Sequence, residues 1–392
     1  SENTKSSKDL YSTTEGIMGL EESMTEDERM DHMSEMSDSK KIVHIIPSFF
    51  PDIGGAEKQL ERLAKEQIKK GLKVNILTRI PKNKNKNKLN NFKEVLINRF
   101  NRNMLLFNLQ CLFYLIRNRD FIKVLHVHTL SSVAFTAMLF CTIFNKKILV
   151  KLTRIGISSQ IDLIKNSTLK NFLFKILITK SNPIFVCLTN ESKAYLEKTF
   201  FNKNNLVIHN GISISKAKKI NYDDNFIRIL FVSRLIKRKR VYSTLKQIFK
   251  TDYKNLKIIL CGDGPESKKI IDLQKKYPEI IDFRGIQDDN EIILAMRESD
   301  YFIQNSVNEG LSNSFLEALN FNVIPVVGKL TFYQNLNDTY GIPIFFEEFL
   351  NMSTNEKLQF KKINRLKSRL IASEKFNIKL TEKLLFNAYF KT

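Results

Sequence analysis

The chain has 392 residues, of which 43% are hydrophobic and 10% aromatic, and this is enough apolar material for two or three domains. Its four cysteines are far apart in sequence, which argues against a disulfide framework or a cysteine zinc site and favours a reducing compartment. No apolar run reaches the roughly 18 residues that a membrane span needs, and no secretory signal is evident.

The charge of the chain is unevenly distributed. The formal net charge is +22, but residues 1–40 hold eleven acidic and only four basic residues. This segment shows no periodic pattern of apolar residues and is predicted to be a disordered acidic tail, a linker or an expression remnant. The basic body suits nucleic acid, anionic lipid or a phosphate-bearing substrate. Basic–aromatic repeats and known nucleic-acid motifs are missing from the sequence, so specific nucleic-acid binding is disfavoured.

From residue 41 the chain alternates β-rich runs with amphipathic stretches. The strands predicted in the first half are 41–47, 72–78, 123–129, 147–153, 183–189 and 205–210. A helix is predicted at 55–71, where it ends on glycine. The Lys/Asn-rich run 81–93 has no apolar face and is predicted to be a solvated loop. The apolar stretch 101–119 is predicted to be a helix, either packed on the core or lying on a membrane surface.

A polar linker at 215–226 separates this half from a second run of the same kind. The strands predicted there are 227–233, 256–262, 280–285, 300–306 and 322–328. Such alternation predicts parallel sheets with helices on both faces. The predicted fold class is α/β, with two Rossmann-like doubly wound domains at 41–215 and 216–374 facing each other across a cleft. Residues 375–392 are predicted to be a terminal helix, free to pack back on the first domain.

Two glutamates eight apart follow a predicted strand of the second half. Glu309 lies just past its carboxyl end, where such sheets bind ligands, although a loop glutamate is usually only solvated. A helix then begins at Ser312 or Ser314, and its free N–H groups and positive dipole end form an anion site. Glu317 could instead be the last member of a capping box with Ser314, a purely structural role.

Three further stretches could contact an anionic ligand. Arg234 and Lys239 follow the first strand of the second half, where they are either solvated charges or partners for a diphosphate. Gly262 lies in a glycine turn that would let the backbone approach a ligand. Gly55 offers a similar flexible backbone after the first strand, but without the pattern of a dinucleotide site. His128 ends a strand at the predicted cleft edge, although a lone histidine is more often structural.

Taken in series, these pieces resemble glycosyltransferase family 4, the retaining two-domain enzymes of the GT-B fold. The stretches that carry the resemblance are "P..GGAE", "VLHVH", "VIHNGI" (207–212), "FVSRL…K", "LCGDGPE", "FRGI" and "EGLSNSFLEAL" (309–319). They run in the family's order over about 41–330 plus the terminal helix. Each piece is weak alone, and the pair of glutamates with the arginine and lysine is the specific part.

The resemblance implies roles for individual residues. Arg234 and Lys239 would hold the donor diphosphate, Glu317 the ribose hydroxyls and Glu309 the transferred sugar, with His128 at the sugar near the reaction centre. The remaining donor-binding residues implied are Gly55, Gly262, Gly285, Ile286, Gly310, Leu311, Ser312, Asn313 and Ser314.

The implied function is transfer of a hexose from a nucleoside-diphosphate sugar, with UDP favoured over GDP. The acceptor would be a cell-envelope polysaccharide, a lipopolysaccharide or a lipid-linked glycan. No D-x-D follows a strand, so neither a metal nor another cofactor is expected. Another GT-B activity, such as a sugar phosphorylase or a sugar-nucleotide epimerase, is the alternative. The basic body and the 82–119 region favour a cytoplasmic enzyme that is peripheral on an anionic membrane face.

Overall fold

The computed structural model describes residues 41–52, 54–81, 95–153, 160–200, 204–216, 220, 225–251, 255–307, 309 and 311–391. The predicted acidic tail at 1–40 and nearly all of the predicted loop at 81–93 lie outside these residues.

The first domain is built on a parallel sheet of seven strands in the order β3-β2-β1-β4-β5-β6-β7. Its strands are β1 (Lys41–Ile45), β2 (Lys73–Arg79), β3 (Leu96–Phe100), β4 (Ile122–Val127), β5 (Lys147–Leu152), β6 (Ile184–Cys187) and β7 (Asn205–Val207). The helices that follow them are α1 (Gly55–Lys69), α2 (Met104–Arg117), α3 (Ser132–Phe144), α4 (Gln160–Lys165), α5 (Thr168–Ser181) and α6 (Asn190–Phe200). The central strands are buried along nearly their whole length because helices cover both faces of the sheet.

The second domain repeats this architecture with six parallel strands in the order β10-β9-β8-β11-β12-β13. Its strands are β8 (Ile227–Val232), β9 (Leu256–Cys261), β10 (Ile281–Gly285), β11 (Tyr301–Gln304), β12 (Ile324–Val327) and β13 (Ile344–Phe345). Its helices are α7 (Val241–Ile248), α8 (Ser267–Lys276), α9 (Asp289–Glu298), α10 (Asn313–Asn320), α11 (Thr331–Tyr340), α12 (Phe346–Asn351) and α13 (Thr354–Lys375). The predicted fold class, two Rossmann-like α/β domains, is confirmed.

The order of each sheet reverses once. In the first sheet the reversal lies between β1 and β4, and in the second it lies between β8 and β11. At such a point the two neighbouring strands send their connections to opposite faces, which leaves a crevice at their carboxyl ends. The fold therefore offers one crevice in each domain.

The last helix, α14 (Ile378–Phe390), packs on the first domain rather than on the second. Its buried residues Leu385, Ala388 and Tyr389 join a hydrophobic cluster with Ile42 and Leu63. The hydroxyl of Tyr389 also lies 2.7 Å from Nδ1 of His126 on β4. The core of the first domain therefore includes residues from both ends of the described chain.

Two strands, β3 and β13, are absent from the predicted elements. β3 is a sheet edge whose residues are only half-buried, so its sequence LINRF carries no clear apolar run. β13 has only two residues, which is too short for a periodic signal.

Helix α2 packs one face on the core and leaves its opposite face exposed. Phe107, Cys111 and Leu115 form a core face. The opposite face is apolar as well and stays in contact with solvent, with Leu105 exposed at 68% and Phe113 at 67%. Only one side of this helix is committed to the core.

The backbone at Gly262, just after β9, lies close to the backbone at Ser233, just after β8. A substitution at Gly262 can test this contact. Its φ is +138°, and a Cβ added there would lie 1.9 Å from the carbonyl oxygen of Ser233. We expect Gly262→Ala to lower the free energy of unfolding by about 2–3 kcal/mol, because the backbone must shift. The matched control is Gly341→Ala, where φ is +72° and nothing lies within 4 Å; it should cost about 1–2 kcal/mol. If urea denaturation showed the same loss of unfolding free energy for both variants, the close backbone contact at Gly262 would be contradicted.

Candidate functional site

The two loops that flank the crevice of the second sheet are joined by an ion pair. One loop follows β8 and carries Lys239, and the other follows β11 and carries Glu309. The ammonium of Lys239 donates to the carboxylate of Glu309, and their side chains are 13% and 15% exposed. The backbone N–H of Val307 also donates to the carbonyl of Arg238 at 3.1 Å. The crevice therefore has a fixed rim bearing one cation and one anion.

Arg234 lies on the same rim with its side chain exposed. Among the described residues it makes no ion pair. Its position directly after β8 places a second cation at the carboxyl end of the sheet, available to an anionic ligand.

Helix α10 begins at the same edge of the sheet. Ser312 is its N-cap, and the Ser312 Oγ accepts from the N–H of Phe315 at 3.1 Å while donating to the side chain of Gln304. Asn313 and Ser314 are then the first two helical residues, whose N–H groups have no acceptor within the helix. The start of α10 therefore carries partial positive charge beside the Lys239–Glu309 pair.

The capping-box interpretation of Glu317 is wrong. Ser314 lies inside α10 and is not its cap, so Glu317 is two residues further along than a capping-box glutamate would be. Its Oε1 accepts instead from Nη2 of Arg62 on α1, at 2.6 Å. Glu317 thus makes its contact across the two domains.

Three further contacts join α1 to the second domain. The side-chain amide of Asn313 donates to the carbonyl of Gly55 at 2.7 Å, and Gln59 donates to the Asn313 side-chain oxygen at 2.7 Å. Lys58 is paired with Asp289 at 2.6 Å. The start of α1 and the start of α10 are therefore held against each other, beside a groove of about 430 Å³ between the domains.

The remaining predicted donor-binding residues form part of the surrounding wall. The N–H of Gly262 donates to the carbonyl of Gly285 at 2.7 Å, which ties the ends of β9 and β10 together. Ile286 follows directly and is 78% exposed. Leu311 is buried in the core of the second domain, so only its backbone is available to a ligand. Gly310 lies outside the described residues.

His128 was predicted at the cleft edge, and the structure places its side chain in the interior. It follows β4, but its imidazole is only 2% exposed, and its Nε2 lies 2.9 Å from Nδ1 of His44. Burial lowers the pKa of His44 to about 4 and the pKa of His128 well below its usual value, so both rings are neutral near pH 7. His126 completes this group, with a pKa lowered by the same burial.

Sequence reasoning missed Arg62, Lys58 and His44. Lys58 and Arg62 are four apart and share one face of α1, but that spacing is also typical of any solvated helix. His44 is a single polar residue inside an apolar strand. Only the pairing of β1 with β4 places it next to the H-x-H of the following strand.

Part of the chain matches a known family. Residues 213–365 match the family model described as glycosyl transferases group 1, which is less than half of the chain and falls on the second domain. The amylovoran biosynthesis glycosyltransferase AmsD of Erwinia amylovora is 30% identical over 142 residues. The matched segment is 35% of this chain and 40% of that protein, so the match spans well under two thirds of the relative.

Solved structures match the chain over 90% of its length. HepE of Anabaena in complex with UDP-glucose has a TM-score of 0.69 at 16% identity and covers 90% of this chain and 100% of its own. A glycosyltransferase of Rickettsia africae has a TM-score of 0.72 at 15% identity, with 90% and 98% covered. Sucrose-phosphate synthase of Thermosynechococcus elongatus has a TM-score of 0.71 at 12% identity, with the same coverage. The fold is that of the GT-B glycosyltransferases.

The Arg62–Glu317 contact can be measured by a double-mutant cycle of Arg62→Met and Glu317→Gln. Both side chains are largely buried, at 19% and 13% exposure, so we expect a coupling free energy of about 1 kcal/mol or more. The reference pair is Lys65–Glu61 within α1, which should couple by about 0.3–0.5 kcal/mol. A cross-domain coupling no larger than the reference would show that the domains are not held together by this pair in solution.

Proposed function

We propose that the protein is a retaining glycosyltransferase that moves a hexose from a UDP-sugar to a glycan of the cell envelope. The observation that carries this proposal is the Lys239–Glu309 pair beside the N-terminus of α10, at the crevice of the second sheet. Two neighbours with the same fold, both HepE of Anabaena, have UDP or UDP-glucose in their crystal structures. The group 1 sequence pattern lies on the domain that carries this crevice.

In this proposal Arg234 and Lys239 bind the diphosphate of the donor together with the free N–H groups of α10. As the bond between the sugar C1 and the phosphate oxygen breaks, negative charge grows on the leaving UDP. Fixed cations and a helix dipole stabilise that charge more than the ground state, which accelerates the step. The same groups supply the charge that a metal would otherwise provide, so no metal is assigned to the donor phosphates.

The acceptor hydroxyl forms the new bond to C1 from the face that the phosphate leaves. Its proton passes to the departing phosphate oxygen, so the sugar keeps its configuration without an enzymic nucleophile. This route requires a charge-stabilised leaving group rather than a base on the protein. The cations described above meet that requirement.

The two glutamates recognise the donor's hydroxyl groups. Glu317 accepts from the ribose hydroxyls, and Glu309 accepts from those of the transferred hexose. Both carboxylates are paired in the structure, Glu309 with Lys239 and Glu317 with Arg62. Donor binding therefore exchanges part of these ion pairs for contacts to ligand, with Lys239 turning to the diphosphate. A contact of His128 with the sugar stays a prediction, since its Nε2 is engaged by His44.

The diphosphate assignment predicts the effect of removing either cation. We expect Arg234→Ala and Lys239→Ala each to reduce turnover at least about 100-fold, since each removes a charge that faces the leaving group. Lys237→Ala is the matched control: it lies in the same short turn, is exposed, and should leave turnover within about twofold. The assay follows UDP release and identifies the sugar product. An unchanged turnover in Arg234→Ala or in Lys239→Ala would contradict the assignment of these side chains to the donor diphosphate.

The ribose assignment predicts weaker nucleotide binding in Glu317→Gln. We expect at least about a tenfold loss of UDP affinity by calorimetry, because a hydrogen bond to a charged acceptor contributes about 1.5–3 kcal/mol. Arg62→Met separates this role from that of the cross-domain pair, since it removes the pair but keeps the carboxylate. If Arg62→Met weakened UDP binding as much as Glu317→Gln, the contact with ribose would be excluded. Glu61→Gln, in the same groove, serves as the control.

We further propose that the enzyme works at the cytoplasmic face of a membrane on a lipid-linked acceptor. No helix among the described residues is long and apolar enough to cross a membrane. Support comes from α2, whose outer residues Leu105, Leu109 and Phe113 are all more than half exposed. Helix α5, which like α2 packs on α3, adds Leu169 and Phe172, exposed at 67% and 62%. An apolar face on a strongly basic protein is suited to an anionic lipid surface.

This location can be tested by flotation with vesicles of phosphatidylcholine and phosphatidylglycerol. We expect the protein to float with anionic vesicles at low salt and less at high salt, since each lysine near such a surface contributes about 1 kcal/mol. Changing Lys82, Lys84, Lys86 and Lys88 to Glu should abolish flotation.

Leu109→Gln with Phe113→Gln should weaken the flotation that persists at high salt, because it removes the apolar contribution. Leu366→Gln is the control, since Leu366 is 75% exposed on α13 of the other domain. A protein that never floats, even at low salt, would require a soluble acceptor.

A further inference from the structure

Three of the five histidines in the sequence meet in the interior of the first domain. His44 on β1 and His126 on β4 are direct partners in the parallel ladder. His128 is two residues beyond His126 and so points to the same face of the sheet. All three side chains are buried, and one ligating nitrogen from each lies within 4.8 Å of the other two.

Partners outside the group hold two of the rings by one nitrogen each. Nε2 of His44 lies 2.8 Å from Oε1 of Gln67 on α1. Nδ1 of His126 lies 2.7 Å from the hydroxyl of Tyr389 on α14. In protein metal sites the second nitrogen of a ligating histidine almost always has such an outer partner, which fixes the ring and its tautomer.

The remaining nitrogen of His126 has no explanation within the protein. Its Nε2 is buried and has no hydrogen-bond partner among the described residues. A buried polar atom without a hydrogen-bond partner is unfavourable, because it has lost its hydration without replacement. A bound ion would give it a partner.

We propose that Nδ1 of His44, Nε2 of His126 and Nε2 of His128 bind a divalent transition-metal ion of the zinc class. Three neutral imidazoles with no carboxylate suit zinc, copper or nickel rather than magnesium or calcium. Zinc bonds to histidine at about 2.0–2.1 Å, which in a tetrahedron separates two ligand nitrogens by about 3.3 Å. The His44 and His128 nitrogens are 2.9 Å apart, a few tenths of an ångström below this separation, and the nitrogen of His126 lies within 4.8 Å of both.

This site goes beyond the proposed transfer reaction. The histidines belong to the first sheet, whereas Arg234, Lys239 and Glu309 belong to the second. The ion would join β1, β4 and, through Gln67 and Tyr389, the helices α1 and α14. Its role is structural: it fastens the terminal helix to the domain that it completes.

One charge opposes the ion. Lys151 on β5 is buried near all three rings, and its Nζ donates to the Asn210 side-chain oxygen at 2.7 Å. An ammonium repels a dication, so Lys151→Met should bind the metal more tightly than the wild type. An affinity that does not change would place the metal elsewhere and overturn the proposal.

The main experiment measures metal in the full chain, purified without a polyhistidine tag. After incubation with zinc and gel filtration, we expect about one zinc per chain by mass spectrometry. Replacing zinc with cobalt should give the visible bands of a tetrahedral site. His126→Ala should reduce bound zinc at least about tenfold, whereas His209→Ala, outside the cluster, should retain it.

The outcomes separate this proposal from the transferase assignment. Circular dichroism shows whether His126→Ala is folded, and the cobalt spectrum of the wild type tests the site even if it is not. A wild type without stoichiometric zinc and without cobalt bands overturns the proposal. A folded His126→Ala variant that still binds zinc also overturns the proposal. Neither result bears on UDP release, which is measured independently.

Discussion

The reversal of strand order within each parallel sheet is the constraint on which the rest of this structure depends. The chain segments that follow β8 and β11 leave toward opposite faces of the sheet, so a crevice remains open between them. Charged residues at that edge are therefore placed where they can pair with each other or contact a ligand. Lys239 and Glu309 pair with each other, and the N-terminus of α10 adds its dipole to the same place. The site is thus a consequence of topology, and its chemistry is a consequence of which residues follow the two strands.

How much of this could be predicted from the sequence depends on how local each feature is. Apart from β3 and β13, the strands of both sheets and the start of α10 follow from apolar runs and a serine cap, which are properties of a few consecutive residues. Arg234, Lys239 and Glu309 could be placed at strand ends for the same reason. Arg62 could not be paired with Glu317, because the two are 255 residues apart and the contact exists only once the domains face each other.

The failures have related causes. The predicted capping box was a four-residue pattern with a common structural meaning, and tertiary structure placed the cap two residues earlier, at Ser312. In the sequence His128 has no evident partner, because His44 belongs to another strand and His126 lies two residues upstream. The short strands β3 and β13 contain too few buried residues to give a period. In each case the missing information was the identity of a neighbour that is distant in sequence.

The packing of α14 on the first sheet has a consequence for how the chain is made. A ribosome delivers residues 41–210 long before it delivers Leu385 and Tyr389, yet these late residues share a cluster with Ile42 and Leu63. During synthesis the first domain must wait with one apolar face uncovered while the whole second domain emerges and folds. Nascent chains halted before residue 378 lack this part of the cluster, so the domain that is translated first is completed last.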